Sequence, residues 1–471
     1  MKMHIEDLRN QVSGHVIAEG EAGFAAAREG FVWNGRKPQA TPRVIVQAAS
    51  VADVQAAVRY ALAHGYRVSA RSGGHNWSGI ALQDGVAIDL SALNAVTIDR
   101  KARVAEVEPA AKNLAMAIAL TAEGLAFPVG HCGDVAMGGY LLGGGFGWNE
   151  GTWGPACHLI EKAEVVLADG RIVMVSDSEN PDIFWALRGA GPLFFGIVTR
   201  FWLRLMPLPP AMAVSTWTYP LARVAEVTAS LKRLSNVLPG FAEVSLSLAA
   251  APPHLGLGDA KFATVILTVY GGSMAEISGL VRNTGDILPD AAIAHTPTTP
   301  IDFATLYGIV DQSFPDGSRY GVDCMWSEDA DTTFAGLARM VANAPSAQSN
   351  AIGVIYGRNS ALHRGLPDAA LSVTGSVCGI MHGTWDPAAD DALNLAWLRA
   401  GMDSLDPVTN GRYVGHADLA RPGRMEACFR PDARSRIAAL AKVHDPQGIF
   451  GNRKVQDAIV SQQETAVLAA E

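Results

Sequence analysis

Phe127-Pro128-Val129-Gly130-His131-Cys132-Gly133-Asp134-Val135-Ala136-Met137-Gly138-Gly139-Tyr140-Leu141-Leu142-Gly143-Gly144-Gly145-Phe146-Gly147 is the stretch that decides how this chain folds. Eight glycines fall within the 18 positions 130–147, and apolar side chains border them. A backbone without Cβ atoms lets another surface approach closely, so this density implies main chain lying against a planar ligand or packed tightly between elements. Neither a G-x-x-x-x-G-K-[ST] phosphate loop nor a G-x-G-x-x-G fingerprint after the first strand is present, which disfavours a plain nicotinamide-dependent dehydrogenase.

Upstream lies Arg71-Ser72-Gly73-Gly74-His75-Asn76-Trp77-Ser78-Gly79, at the end of an expected strand. Two adjacent glycines let consecutive backbone N–H groups converge on one anion, and Arg71 adds positive charge, so a pyrophosphate would fit there. The strand belongs to a β-α-β unit. RVIVQ (43–47) reads as a buried strand, the segment from Ser50 to Gly65 as an amphipathic helix with a serine cap and a glycine stop, and RVSAR (67–71) as the second strand. Strands at GVAIDLSAL, AVTIDR and RVAEVEP follow, then a helix over AKNLAMAIALTAEG. After the glycine-rich stretch comes a hairpin turning at Asp169-Gly170.

Beyond the proline-rich MPLPPAM (206–212) the pattern changes to strands, at AVSTWTYP, EVSLSLAA, FATVILTVYGG, YGVDCMWS and SNAIGVIYG, several separated by helical stretches. An antiparallel sheet with helices is the simplest account. RSRIAALAKVHDPQGIF forms a late amphipathic helix, and the tail from about residue 455 has no core pattern.

At 471 residues and 49% hydrophobic composition the chain can bury more than one core. A net charge of −9 without a run of Lys or Arg argues against nucleic acid and against an electrostatic membrane patch, leaving a small molecule as the expected partner. The five cysteines are widely spaced and odd in number, with no C-x-x-C pair, so no disulfide framework and no metal site are expected. The opening twenty residues lack the apolar core of a signal peptide, and no apolar run reaches membrane-spanning length, so the expected location is the cytoplasm.

In combination, R-S-G-G-H, G-H-C-G-D-V-A-M-G-G-x-L-L-G-G-G-F-G-W, F-W-A-L-R-G-A-G (184–191) and F-G-I-V-T-R-F (195–201) resemble the berberine bridge enzyme-like branch of the vanillyl-alcohol oxidase superfamily. The likeness covers nearly all of residues 40–205 and returns at Tyr413–Asp418 and at His444-Asp445-Pro446. It implies an α+β fold: a split FAD-binding domain of the PCMH type, residues 1–205 and 420–471, around a substrate domain, 206–419, built on an antiparallel sheet covered by helices. It implies FAD bound covalently twice, through His75 and through Cys132. Arg71, Ser72, Gly73, Gly74, Asn76, Ser78, Gly130, Val135, Gly138, Gly139, Gly143, Gly144, Gly147, Trp148 and Ile197 are the further cofactor contacts it implies.

The resemblance also implies a reaction: hydride removal from an alcohol or amine carbon of a small organic substrate, with molecular oxygen as acceptor and hydrogen peroxide as product. A flavin dehydrogenase with another acceptor is the nearest alternative, and a flavin or metabolite carrier without turnover is a more distant one. Val135, three positions after Cys132, matches the small residue of the oxidase pattern. Two departures stand out. Gly191-Pro192-Leu193-Phe194-Phe195-Gly196 replaces the usual G-x-N-F-G, and Tyr413-Val414-Gly415-His416 replaces Y-x-N-Y, whose last tyrosine often acts as base. His416 is therefore the expected base, with Tyr413 second. Tyr320, Asp323, Trp326 and Tyr356, on strands of the second sheet, are expected to line the substrate cleft. A monomer or small homo-oligomer is expected.

Overall fold

The computed structural model describes residues 4–250, 256, 258 and 260–450; the tail from about residue 455 lies outside them. The β-α-β unit forms as the sequence predicts. Helix Val51–His64 begins where Ser50 accepts a hydrogen bond from the Asp53 N–H and ends at Gly65 in the left-handed region. Strands Pro42–Gln47 and Val68–Arg71 flank Gly85–Asp89, both parallel to it, and His15–Ala18 pairs antiparallel at the edge of this four-stranded sheet.

A five-stranded antiparallel sheet follows, in the spatial order Val96–Asp99, Val104–Val107, Gly196–Arg204, Ile160–Leu167, Ile172–Ser176. Its last two strands are the expected hairpin, turning through Gly170 at φ +77°.

The third large sheet has seven antiparallel strands, in the order Ala294–Pro300, Ala211–Pro220, Lys261–Gly271, Ala242–Ala250, Asn350–Ile355, Val377–Trp385, Arg319–Ser327. Five of these are the strands read from sequence. Ala294–Pro300 and Val377–Trp385 were not, and the second hides in V-C-G-I-M-H-G-T-W, where two glycines blur the alternation. One face of the sheet packs Val244, Leu246, Val265, Leu267, Met325 and Met381 against Leu231, Phe334, Leu337 and Leu398 of the covering helices. Each such side chain contributes about 1.5–3 kcal/mol on burial. From the other face Tyr270, Cys324, Trp326 and Cys378 join one apolar cluster with Phe127, Met137, Leu141 and Phe194, so the glycine-rich segment is clamped between two sheets.

The chain end returns to the first sheet. Ile449 accepts a hydrogen bond from the Val68 N–H at 2.7 Å, and the Asp445 carboxylate accepts from the Ile449 and Phe450 N–H groups at 2.9 and 2.8 Å. No helix among the described residues is long and apolar enough to cross a membrane.

Candidate active site

A cleft of about 520 Å³ is lined by the end of strand Val68–Arg71 and the loop after it, by the glycine-rich segment, by the start of strand Gly196–Arg204, and by the loops 311–316 and 413–416. Of the residues implied by resemblance, His75, Cys132, Arg71, Ser72, Gly73, Gly74, Asn76, Gly130, Val135, Gly138, Gly139, Gly143, Ile197, Tyr413 and His416 are all in its lining. The cleft suits a planar, polar-edged cofactor. A Cβ added at Gly139 would meet no atom within 4 Å, so bare backbone faces open space there. Ser69 Oγ and Asn113 Oδ1, both on cleft-lining residues, are buried with no hydrogen-bond partner in the protein. Buried polar atoms usually find a partner, and these two beside the cleft have none among the protein groups.

Arg71 is held in place: its Nε donates to Asp89 at 2.9 Å and its guanidinium also binds the Gly30 carbonyl. The two attachment candidates are electrically quiet. Burial holds the His75 imidazole down to about 4, so it is neutral near pH 7, and its ring stacks on Trp33 with centroids 5.0 Å apart. Burial, with Asp311 adding to it, pushes the Cys132 thiol up to about 12.

His416 sits on a tight turn in which its N–H and that of Ala417 both donate to the Tyr413 carbonyl, at 3.0 and 2.9 Å. The turn is anchored from behind. The Tyr413 N–H donates to Cys324 Sγ at 3.3 Å, and the buried Arg412 pairs with Asp323 at 3.3 Å and with Asp406. His416 Nδ1 is buried without a partner. Burial, aided by the nearby His131, lowers its imidazole to about 4, whereas burial pushes the Tyr413 hydroxyl above the usual phenol range.

Several expected residues lie elsewhere. Ser78 donates its N–H to Asn76 Oδ1 and is not in the cleft lining. Gly144 and Gly147 serve packing instead: a side chain at Gly144 would press on Leu371, and one at Gly147 would collide with the Val129 carbonyl and the Tyr140 hydroxyl. Trp148 stands behind the lining, its ring edge-on to His131 at 4.2 Å. None of the four expected substrate residues lines the cleft. Tyr320 is fully buried, stacked on Trp33 with its hydroxyl on the Pro315 carbonyl. Asp323 points to the opposite face of its strand and is held between Arg412 and Arg424. Trp326 packs on Phe146 in the core, and Tyr356 donates to Glu150 Oε1 at 2.6 Å.

The cleft gains residues not read from the sequence: Trp33, Trp77, Asn113, His131, Phe146 and Phe314 among them. His131 is exposed within the cleft although protein surrounds it. Its position beside Cys132 was the one available sign.

Residues 42–176 match the family model of the FAD binding domain. Over 429 residues the chain is 28% identical to the FAD-linked oxidoreductase nodO of Hypoxylon pulicicidum, covering 91% of this chain and 94% of that one. It is also 28% identical over 460 residues to the (R)-6-hydroxynicotine oxidase of Paenarthrobacter nicotinovorans, covering 93% and 95%. The fold matches that of BBE-like 1 from Physcomitrella patens with a TM-score of 0.83 at 17% identity, over 95% of this chain and 98% of the other. The chain thus carries an FAD binding domain over residues 42–176, is similar over nine-tenths of its length to FAD-linked oxidoreductases, and has the fold of the berberine bridge enzyme-like proteins.

Proposed function

We propose that the chain is an oxidase that holds FAD by two covalent bonds, from His75 and Cys132, and oxidises an alcohol or amine carbon of a small organic substrate. When bound, FAD supplies the hydride acceptor, and molecular oxygen restores it with release of hydrogen peroxide. The observation that carries this reading is that His75, Cys132 and His416 all face one glycine-lined cleft. Bonds at two edges would fix the cofactor's orientation against the substrate, which is where positioning lowers the barrier.

His416 takes the proton that leaves the substrate's O–H or N–H as hydride leaves the carbon. Its low proton affinity suits the task, because the ring is unprotonated and ready near pH 7. The substrate's X–H becomes strongly acidic as the hydride departs, so a weak base suffices. Tyr413 is the poorer candidate, since burial makes its phenolate costly. We assign it to holding the turn, with its ring edge-on to Phe146 at 4.8 Å. The division into residues 1–205 with 420–471 and 206–419 goes with this reading, the first part holding the cofactor and the second covering the substrate.

The test is attachment. Acid-precipitated protein should stay yellow, and a proteolytic digest should yield one flavin joined to the His75 and Cys132 peptides. His75→Ala or Cys132→Ala alone should leave a single bond, with colour kept and turnover reduced. Flavin that washes out of the denatured parent protein would end the proposal.

A further inference from the structure

To form its bond, His75 has to aim a ring nitrogen at the cofactor, yet among the described residues no hydrogen bond holds either nitrogen. Rotation of an imidazole about its bond to Cβ is broad, so a histidine without a hydrogen bond needs another constraint. Trp33 imposes one. Its indole lies on the imidazole with centroids 5.0 Å apart and planes 20° from parallel. Tyr320 stacks on the same indole at 5.0 Å and 23°, and Trp77 meets it edge-on at 5.7 Å.

Trp33 is itself fastened from several sides. Its backbone N–H donates at 2.9 Å to the carbonyl of Gly74, the residue before His75, and its indole N–H donates to Asp316 Oδ1 at 2.6 Å. Asn34 locks the same segment: its amide donates to the Trp77 carbonyl at 2.7 Å and to the Tyr320 carbonyl at 2.9 Å, and its Oδ1 accepts from the Tyr320 N–H at 3.0 Å. A side chain at Gly74 would collide with the Phe31 carbonyl, so the two segments touch main chain to main chain. Trp33, Asp316 and His75 all line the cleft. Cys132 is held by a different set: Asn113 donates to its carbonyl at 3.2 Å, and the Tyr307 hydroxyl donates to the Gly130 carbonyl at 2.7 Å.

We propose that Trp33 is the positioning residue for the flavin bond at His75, its indole setting the imidazole plane so that a ring nitrogen meets a methyl carbon of the flavin. This rests on the reading of His75 as an attachment point. The bond joins that nitrogen to that carbon. One hydrogen leaves the imidazole and one leaves the methyl group, and the two electrons pass through the flavin ring to molecular oxygen, which ends as hydrogen peroxide. Trp33 exchanges no atom in this step and acts through the angle at which the nitrogen arrives.

The test follows the two bonds separately in the full chain, produced under riboflavin limitation and then given FAD in air. Samples are denatured at intervals and digested, and flavin on the His75 and Cys132 peptides is quantified by mass. Trp33→Leu should slow the His75 bond at least about tenfold and leave the Cys132 bond at the parent rate. Trp33→Phe keeps a flat ring without the indole N–H and should bring the His75 bond back to within about threefold of the parent. Trp33→Met, flexible enough to fill the same space, gives the first comparison again if the Leu variant does not fold. Both bonds forming at parent rates in the Leu or Met variant, both slowing in parallel, or a Phe variant as slow as these would overturn the proposal. A parent protein with no flavin on the His75 peptide ends the attachment reading and this proposal with it. A parent that has the bond, beside a Leu variant that forms it as fast, ends this proposal alone.

Discussion

Lowering the pH should leave flavin reduction almost untouched until about pH 5 and then abolish it, with a midpoint near 4. His416 sets this profile. A base works only when unprotonated, and burial in the cleft wall lowers this imidazole to about 4 from the ordinary value of about 6.5. The rate is therefore full above the lowered value and is lost as pH falls through it. At pH 5.5 an ordinary histidine is only about 10% available as a base, whereas one at about 4 is about 97% available. That is a tenfold contrast at a pH where most proteins are intact. The assay is anaerobic stopped-flow bleaching of the oxidised flavin in single turnover from pH 3.5 to 8. Samples returned from acid to pH 7 serve as the check on folding. His416→Ala should lose on the order of 10²–10⁴ in rate at pH 7 while keeping its covalent flavin. A midpoint near 6.5, or a His416→Ala variant at the parent rate, would refute the assignment.

Other outcomes follow from single contacts. Val135 lines the cleft three residues after Cys132, and Val135→Leu should slow reoxidation by air by at least about tenfold while leaving an artificial acceptor's rate alone, as two-pulse stopped-flow would show. Asp311 adds to the burial that raises the Cys132 thiol, so Asp311→Asn should lower that value and speed formation of the cysteine–flavin bond in apoprotein supplied with FAD; an equal or slower rate counts against the contact. Asp323→Ala removes the carboxylate between Arg412, 1% exposed at its side chain, and Arg424. Arg412 keeps Asp406 and Arg424 keeps Asp403 and Asp406, so the loss should cost about 1–3 kcal/mol, read as an earlier unfolding transition in urea, with no change in substrate affinity for the folded fraction.

The cofactor half of the cleft was legible in the sequence because glycine clusters and a histidine at a strand end carry their constraint locally. His75, Cys132 and the glycines at 73, 74, 138 and 139 all reach the same space. The substrate half was not, because strand alternation fixes a side chain's face but not what covers that face. Tyr320 and Trp326 share one side of strand Arg319–Ser327 and Asp323 the other, so the three could never line one wall, and the first two are roofed by Trp33 and Phe146. His416 was found only because its segment keeps the spacing of a known motif.

The return of the chain end to the first sheet sets a timetable for the molecule. Val68, near the head of the cleft, waits for Ile449 to complete its strand edge, and Phe450 and His416 supply parts of the lining. A ribosome must release the chain through Phe450 before the pocket exists, so a product stalled short of that residue lacks part of the lining. If the bonds at His75 and Cys132 form only in the closed pocket, permanent colour becomes a stamp of synthesis carried past Phe450. A yellow band that survives denaturing electrophoresis would then count the molecules that once folded to the end.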